Sequence, residues 1–351
     1  MKNKKTLLII GAFDFKTMDS GGQLVKTREL YYLFKEKTFF QRIRFVDTSR
    51  WKKFLFFKIF ELFFKIIVSN YVIMLPAYNG LSVFSKILPI FRRKKKIYYD
   101  VIGGWLPRCI KEDHKLKKRL SCFNGIFVET TSMKESLSNY GLINVYVVPN
   151  FKKIIHPSKE NRERLVSLPL KICTFSRVVK EKGIGEAIEA VTRVNSFYKQ
   201  RIYELDIYGP VDDSFKEEFD RLLNEHSDCA RYLGVIDTKC SYEVLTKYFA
   251  LVFPTRFYTE GIPGTFIDAY NAGLPVITSL WMNYSDIFDD GIHGYGYKFD
   301  ELDGLYNCLC KAYRNRYVFS KMSDNCARKS RLFGEEHAYQ LMIKIFEGAA
   351  K

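Results

Sequence analysis

Two carboxylates bracket the densest chemical signal in the 351-residue chain, Glu260 and Asp268, separated by seven residues within TRFYTEGIPGTFIDAYNAGLPV (residues 255–276). An apolar strand, Tyr248–Pro254, runs into this stretch. A loop follows through Gly261, Ile262 and Pro263, and then a helix over roughly Pro263–Ala272. Pro263 suits a first helical turn, where its missing N–H costs nothing. Gly273 and Pro275 stop the helix. The amides of Gly264, Thr265 and Phe266 then face outward at a helix N-terminus, which carries about half a positive charge and attracts anions. Asp268, one turn deeper, suits the hydroxyls of a ribose, as acids beside nucleotide-binding turns do. Glu260 precedes the turn on the ligand side. One loop therefore offers two carboxylates and a phosphate cradle. Without further support the same stretch is an ordinary strand, loop and capped helix.

That support comes from other parts of the chain. The stretch resembles the donor-sugar loop of retaining glycosyltransferases of the GT-B fold, family four (glycosyl transferases group 1). These carry an acid, seven residues, a second acid, and then A-x-x-x-G-x-P-V. Here the run is Glu260, seven residues, Asp268, and Ala269 to Val276, with Asp268 where the family usually has Glu. The family also carries G-R-x-x-x-x-K-G, matched by Ser176-Arg177 through Lys182-Gly183, with Ser176 in place of the first Gly. By that resemblance Arg177 and Lys182 reach the donor diphosphate. Two cations there can stabilise the charge of a leaving group. Alone, an R-x-x-x-x-K spacing is ordinarily a solvated loop.

The resemblance extends to three further places. Gly21-Gly22 enters the helix Gln23–Glu36 after a first strand, Thr6–Gly11, where glycine lets backbone approach a phosphate. The resemblance puts Gly22 at the donor pyrophosphate and the backbone near Val235 at the nucleotide base. On the acceptor side it points to Asp14 and to the loop Asp100, Gly103 and Gly104, which lacks the His the family often has. No G-x-G-x-x-G fingerprint opens the first helix, so nicotinamide binding is unsupported.

Elements that position such groups alternate between strand and helix throughout. The expected fold is α/β, a GT-B arrangement of two Rossmann-like domains with parallel sheets facing a cleft. The expected division is 1–150 for the N-terminal acceptor-side domain, 151–170 for a linker, and 171–334 for the nucleotide-sugar-binding domain. The helix 335–351 returns to the first domain. Further strands are expected over Arg42–Asp47, Tyr71–Pro76 and Ile97–Val101. His293 reads as a loop histidine and not a base.

Composition narrows the class. The chain is 47% hydrophobic, with a mean hydropathy of −0.16, and is therefore globular. No run reaches the roughly 20 apolar residues of a membrane span. The opening lysines precede a strand better than a secretory signal. Eight scattered cysteines lack zinc spacing and read as reduced, in a cytoplasmic protein. The formal net charge of +17 lies wholly within residues 1–150, and the remainder is balanced. Such asymmetry points to a polyanionic partner. The basic run Arg92–Lys96 suits either a solvated face or lipid headgroups. The aromatic, lysine-broken stretch Trp51–Val68 suits either a membrane interface or packing on a sheet.

The resemblance implies transfer of a hexose from a nucleotide diphosphate sugar, UDP- or GDP-linked, to a hydroxyl with retention. The departing diphosphate would take the acceptor proton. There is no D-x-D motif, so neither a metal nor another cofactor is expected. The implied acceptor is a lipid-linked saccharide of capsule, exopolysaccharide or lipopolysaccharide assembly. The enzyme would sit peripherally on the anionic inner face of the cell membrane. A sugar-nucleotide epimerase of the same fold is the alternative. Nucleic-acid binding rests on charge alone, without a recognition motif.

Overall fold

The computed structural model describes residues 4–15, 22–49, 55–155 and 166–348. The chain forms two compact units, Met1–Phe151 with Glu335–Lys351, and Lys152–Gly334. Among the described residues each unit holds one six-stranded sheet, parallel throughout.

In the first unit the strands are β1 (Thr6–Gly11), β2 (Arg42–Asp47), β3 (Tyr71–Met74), β4 (Lys96–Asp100), β5 (Gly125–Val128) and β6 (Val145–Val147). Their order across the sheet is β2-β1-β3-β4-β5-β6. β1 reads TLLIIG and is buried on both faces, as parallel strands covered by helices must be. The helix Gly22–Glu36 buries Leu30, Leu33 and Phe34. Leu24 and Tyr31 of the same helix are only half-buried. The helix Glu335–Phe346 belongs to this unit. Its Phe346 meets Tyr98 edge-on, with centroids 4.8 Å apart, and packs near Tyr71 and Phe127.

The second unit contains β7 (Leu170–Phe175), β8 (Tyr203–Tyr208), β9 (Ala230–Tyr232), β10 (Ala250–Phe253), β11 (Val276–Leu280) and β12 (Gly294–Lys298). The order is β12-β11-β10-β7-β8-β9, the doubly wound order of dinucleotide-binding sheets. The chain reverses direction across the sheet between β7 and β10. That crevice, at the C-terminal strand ends, is where open α/β sheets take ligands. The core here joins Ile184, Ile188 and Val191 of the helix Ile184–Tyr198 to Leu205, Ile207 and Val252 of the strands.

Several boundaries differ from those expected. β3 stops at Met74 and β10 spans only Ala250–Phe253, because paired backbone, and not apolar content, defines a strand. Within the aromatic stretch Trp51–Val68 a helix is described over Leu55–Ile67. Trp51 to Phe54 lie outside the described residues, as does Gly21.

Candidate functional site

The strand reversal puts two loops together. The loop after β7 ends in a short turn, Lys180–Lys182, and the helix Ile184–Tyr198 follows. Between them Gly183 has φ +69°, and a Cβ there would lie 2.1 Å from the Pro254 carbonyl oxygen. Only glycine fits that approach. The Arg256 amide donates to the Glu181 carbonyl at 2.8 Å, closing the loops against each other.

Lys182 Nζ then reaches Glu260 Oε2 at 2.6 Å. The side chains are 12% and 21% exposed, so the pair is partly shielded from water yet still reachable. Lys182 Nζ also lies 5.1 Å from the ring centres of both Phe253 and Phe257, in cation–π range. Glu260 is fixed through its backbone. Its amide donates to Phe257 O, and its carbonyl accepts from Asn283 Nδ2 at 2.6 Å. The Thr255 hydroxyl donates to the same carboxylate oxygen at 3.4 Å. Arg177 stands exposed just after β7; hydrogen bonds from Ser214 lower the Asp212 carboxyl, and Arg177 adds a smaller electrostatic pull in the same direction.

The helix beside this pair is Gly264–Asn271, with Pro263 as its cap. Pro263 adopts extended φ/ψ of −68° and 129°, so it precedes the first turn and does not open it. The Phe266 amide, expected to face a ligand, donates to the Pro263 carbonyl at 3.0 Å. Gly264 and Thr265 therefore carry the open N-terminus, with no amide hydrogen bond among the described residues. The Thr265 hydroxyl is itself buried, so this position offers its amide. Gly261, Ile262 and Pro263 are buried beneath the turn.

Asp268 is placed differently from the expectation of a ribose contact. It is 7% exposed. Its Oδ2 lies 2.5 Å from Lys152 Nζ, and its Oδ1 accepts from Ser241 Oγ at 3.3 Å. Lys152 gives no signal in the sequence, because 116 residues separate it from its partner.

Val235 is exposed beyond β9, and Gly234 before it has φ +80°. A cavity of about 280 Å³ lies among Glu186, Arg193, Tyr297 and Asp300 and meets the site through Pro254, Thr255 and Arg256.

In the first unit Gly22 opens its helix. A Cβ added there would meet none of the described residues within 4 Å, so the backbone is accessible. Asp14 has φ +33°, and its amide donates to Asp47 Oδ2 at 3.2 Å. Gly103 takes φ +79°, and Gly104 is buried. Asp100 is not turned toward an acceptor. It is 1% exposed and lies 3.1 Å from Lys26 Nζ, which also donates to Glu129 Oε1 at 3.0 Å. Desolvation is the main influence on Asp100 and raises its pKa. The two carboxylates outweigh the desolvation of Lys26 and raise it further. Lys26 sits mid-helix, where sequence alone reads a solvated lysine.

Elsewhere His293 is buried, and burial lowers its pKa to about 4. Its Nδ1 accepts from the Asp289 amide, a structural contact within a loop. All eight cysteines are free. Among the described residues no helix is long and apolar enough to cross a membrane.

The two doubly wound units define the GT-B architecture. Residues 169–315, all but one of them in β7 or later, match the family described as glycosyl transferases group 1. No curated protein sequence matches the chain. Solved structures do. HepE from Anabaena in complex with UDP shares 12% identity over 98% of this chain and 100% of that one, with a TM-score of 0.76. Sucrose-phosphate synthase from Thermosynechococcus elongatus shares 12% over 98% of each, with a TM-score of 0.74. The lipopolysaccharide outer core galactosyltransferase WaaB shares 13% over 98% and 100%, with a TM-score of 0.65. Identities this low speak for the fold. Fold and family match together support a glycosyltransferase.

Proposed function

We propose that the protein is a retaining, metal-independent hexosyltransferase. It takes a nucleotide diphosphate sugar, UDP- or GDP-linked, and glycosylates a hydroxyl of a lipid-linked saccharide in surface-polysaccharide assembly. The observation that carries this reading is the Lys182–Glu260 pair at the strand-reversal crevice, beside the open helix N-terminus at Gly264. A diphosphate entering there would compete with Glu260 for the Lys182 ammonium. The Gly264 and Thr265 amides would hold its oxygens, and Arg177 would add a second charge. As the sugar–oxygen bond breaks, negative charge grows on the diphosphate, and fixed donors stabilise it most at that moment. The departing oxygen would take the acceptor proton, while Glu260, released from Lys182, would face the sugar. That HepE and WaaB are a UDP-binding protein and a galactosyltransferase supports the donor class.

The first unit supports the acceptor side by its surface. The helix Leu55–Ile67 buries Leu62 and Ile66 but leaves Phe60, Phe64 and Ile67 more than 60% exposed. Phe63 meets Phe91, with ring centres 6.1 Å apart, and Lys95 Nζ donates to the Ile67 carbonyl. The helix and the run Arg92–Lys96 thus form one face, aromatic beside basic, as a peripheral binder of anionic lipid would require. The buried side of the helix supports packing on the sheet, and the exposed aromatic side supports the membrane reading.

Thermal shift against UDP, GDP and their sugars tests the donor. A ligand at 100 times its Kd adds about 2.7 kcal/mol to folding stability. A stabilising nucleotide sugar, and transfer that persists in chelator, are expected. No shift with any nucleotide would overturn the reading, and interconversion of the donor without acceptor would move it to an epimerase. Sedimentation with anionic liposomes at low salt tests the surface. Protein left in the supernatant would refute it.

A further inference from the structure

We propose that Asp268 is a positioning residue that clamps the start of the second unit to the helix Gly264–Asn271, and that it does not bind the donor's ribose. This rests on the nucleotide-sugar reading only for the identity of the ligand. The sequence motif would have Asp268 face a ribose. Its two carboxylate oxygens instead meet Lys152 at 2.5 Å and Ser241 at 3.3 Å, in a side chain only 9% exposed.

The contact is one of a set. Asn271, three residues on and so on the same helical face, accepts the Ile155 amide at 2.9 Å through Oδ1. The Lys152 amide donates to the Phe333 carbonyl at 3.0 Å, and Lys152 forms a parallel bridge with Gly334. The first residue of the second unit is therefore paired with the unit's last two residues. Asp268 and Asn271 tie that junction to the helix whose N-terminus carries Gly264 and Thr265. Ser241 adds a third anchor from the helix Ser241–Leu245.

The shorter acid explains the exchange of roles. Aspartate holds its carboxylate one methylene closer to its own helix than glutamate does, within reach of Lys152. To contact a ribose it would leave an ammonium that is itself only 14% exposed. Breaking a buried pair from one side costs more than the pair is worth. The helix direction, and with it the aim of its amides at the diphosphate, follows from the clamp.

The test is a double-mutant cycle between protein and ligand. Affinities of UDP, 2′-deoxy-UDP and 3′-deoxy-UDP, or the GDP set if guanine is preferred, are measured by calorimetry for wild type, Asp268→Asn and Lys152→Met. Both variants should weaken every nucleotide by a similar factor. The penalty for each missing hydroxyl should stay within about twofold of wild type, the usual additivity of sites that do not touch. Loss of that penalty in Asp268→Asn would make Asp268 a ribose ligand and overturn the proposal. Should a single variant not fold, Lys152→Met/Asp268→Asn leaves no unpaired charge in the clamp and carries the same comparison. If wild type binds no nucleotide, the donor reading fails on its own. The clamp is then judged by melting temperature. A double variant no less stable than either single supports it, and additive losses refute it.

Discussion

Lys182 and Glu260 form a 2.6 Å ion pair across loops that follow β7 and β10, 78 residues apart in the chain. The pair gives each residue a separable test. Lys182→Ala removes the cation that would neutralise the leaving diphosphate, and turnover should fall about 100-fold or more. Glu260→Gln releases Lys182 to the diphosphate. UDP or GDP should then bind at least as tightly as in wild type while turnover still falls. Calorimetry beside steady-state kinetics distinguishes the two. Equal losses of affinity in both variants would mean that the pair is only structural.

Gly183 is a steric requirement of the same site. With φ +69° and a Cβ position 2.1 Å from Pro254 O, Gly183→Ala must push the two loops apart. Strain of this class costs about 1–3 kcal/mol, and the clash adds to it. Urea denaturation should show the loss of stability. Nucleotide affinity should fall further than for an exposed-loop substitution such as Lys180→Ala. Unchanged nucleotide affinity would disconnect loop contact from ligand binding.

How far the sequence reveals the molecule follows from the range of its interactions. β1 is legible to the residue because a strand buried on both faces is a continuous apolar run, whereas β2, RIRFVD and mostly half-buried, keeps its expected bounds without such a run. Glu260 and the turn at Gly264 are legible from local chemistry, carboxylate, proline and glycine within five positions. Arg177 and Lys182 need the resemblance, because a loop cation has no periodicity of its own. Contacts of long range leave no trace. Lys26 occupies a helix in which lysine is common, and its partners lie on β4 and just after β5. Lys152 stands in a basic stretch that reads as linker. Asp100 reads as a site residue because it ends a strand where ligands bind. The end of a strand can also be buried, and here it is.

The Lys26 cluster is the most sensitive point of the first unit. Lys26→Met would remove the cation between two buried carboxyls, and breaking a buried pair from one side costs about 3–5 kcal/mol. Burial already raises the Asp100 pKa. A carboxyl raised in the folded state favours folding on the acid side and loses that advantage as pH rises. The deficit of the variant should therefore shrink as pH is lowered. A urea series across pH would show it, and a pH-independent loss would assign the effect to packing.

His293 sets an acid limit on the second unit. Burial, with help from Lys329, lowers its pKa to about 4, while Asp289 opposes the shift. Its Nδ1 accepts the Asp289 amide, so the neutral ring is the one that fits. An unfolded histidine titrates near 6.5. Stability from the neutral ring is then fully present above that value, and it is lost as pH falls from about 6.5 toward 4. His293→Asn keeps an acceptor at the same distance along the side chain and does not titrate. It should flatten this part of the stability profile while costing little at neutral pH. Calorimetric melts from pH 7.5 to 4.5 make the comparison, and parallel profiles for the two proteins would place the acid sensitivity elsewhere.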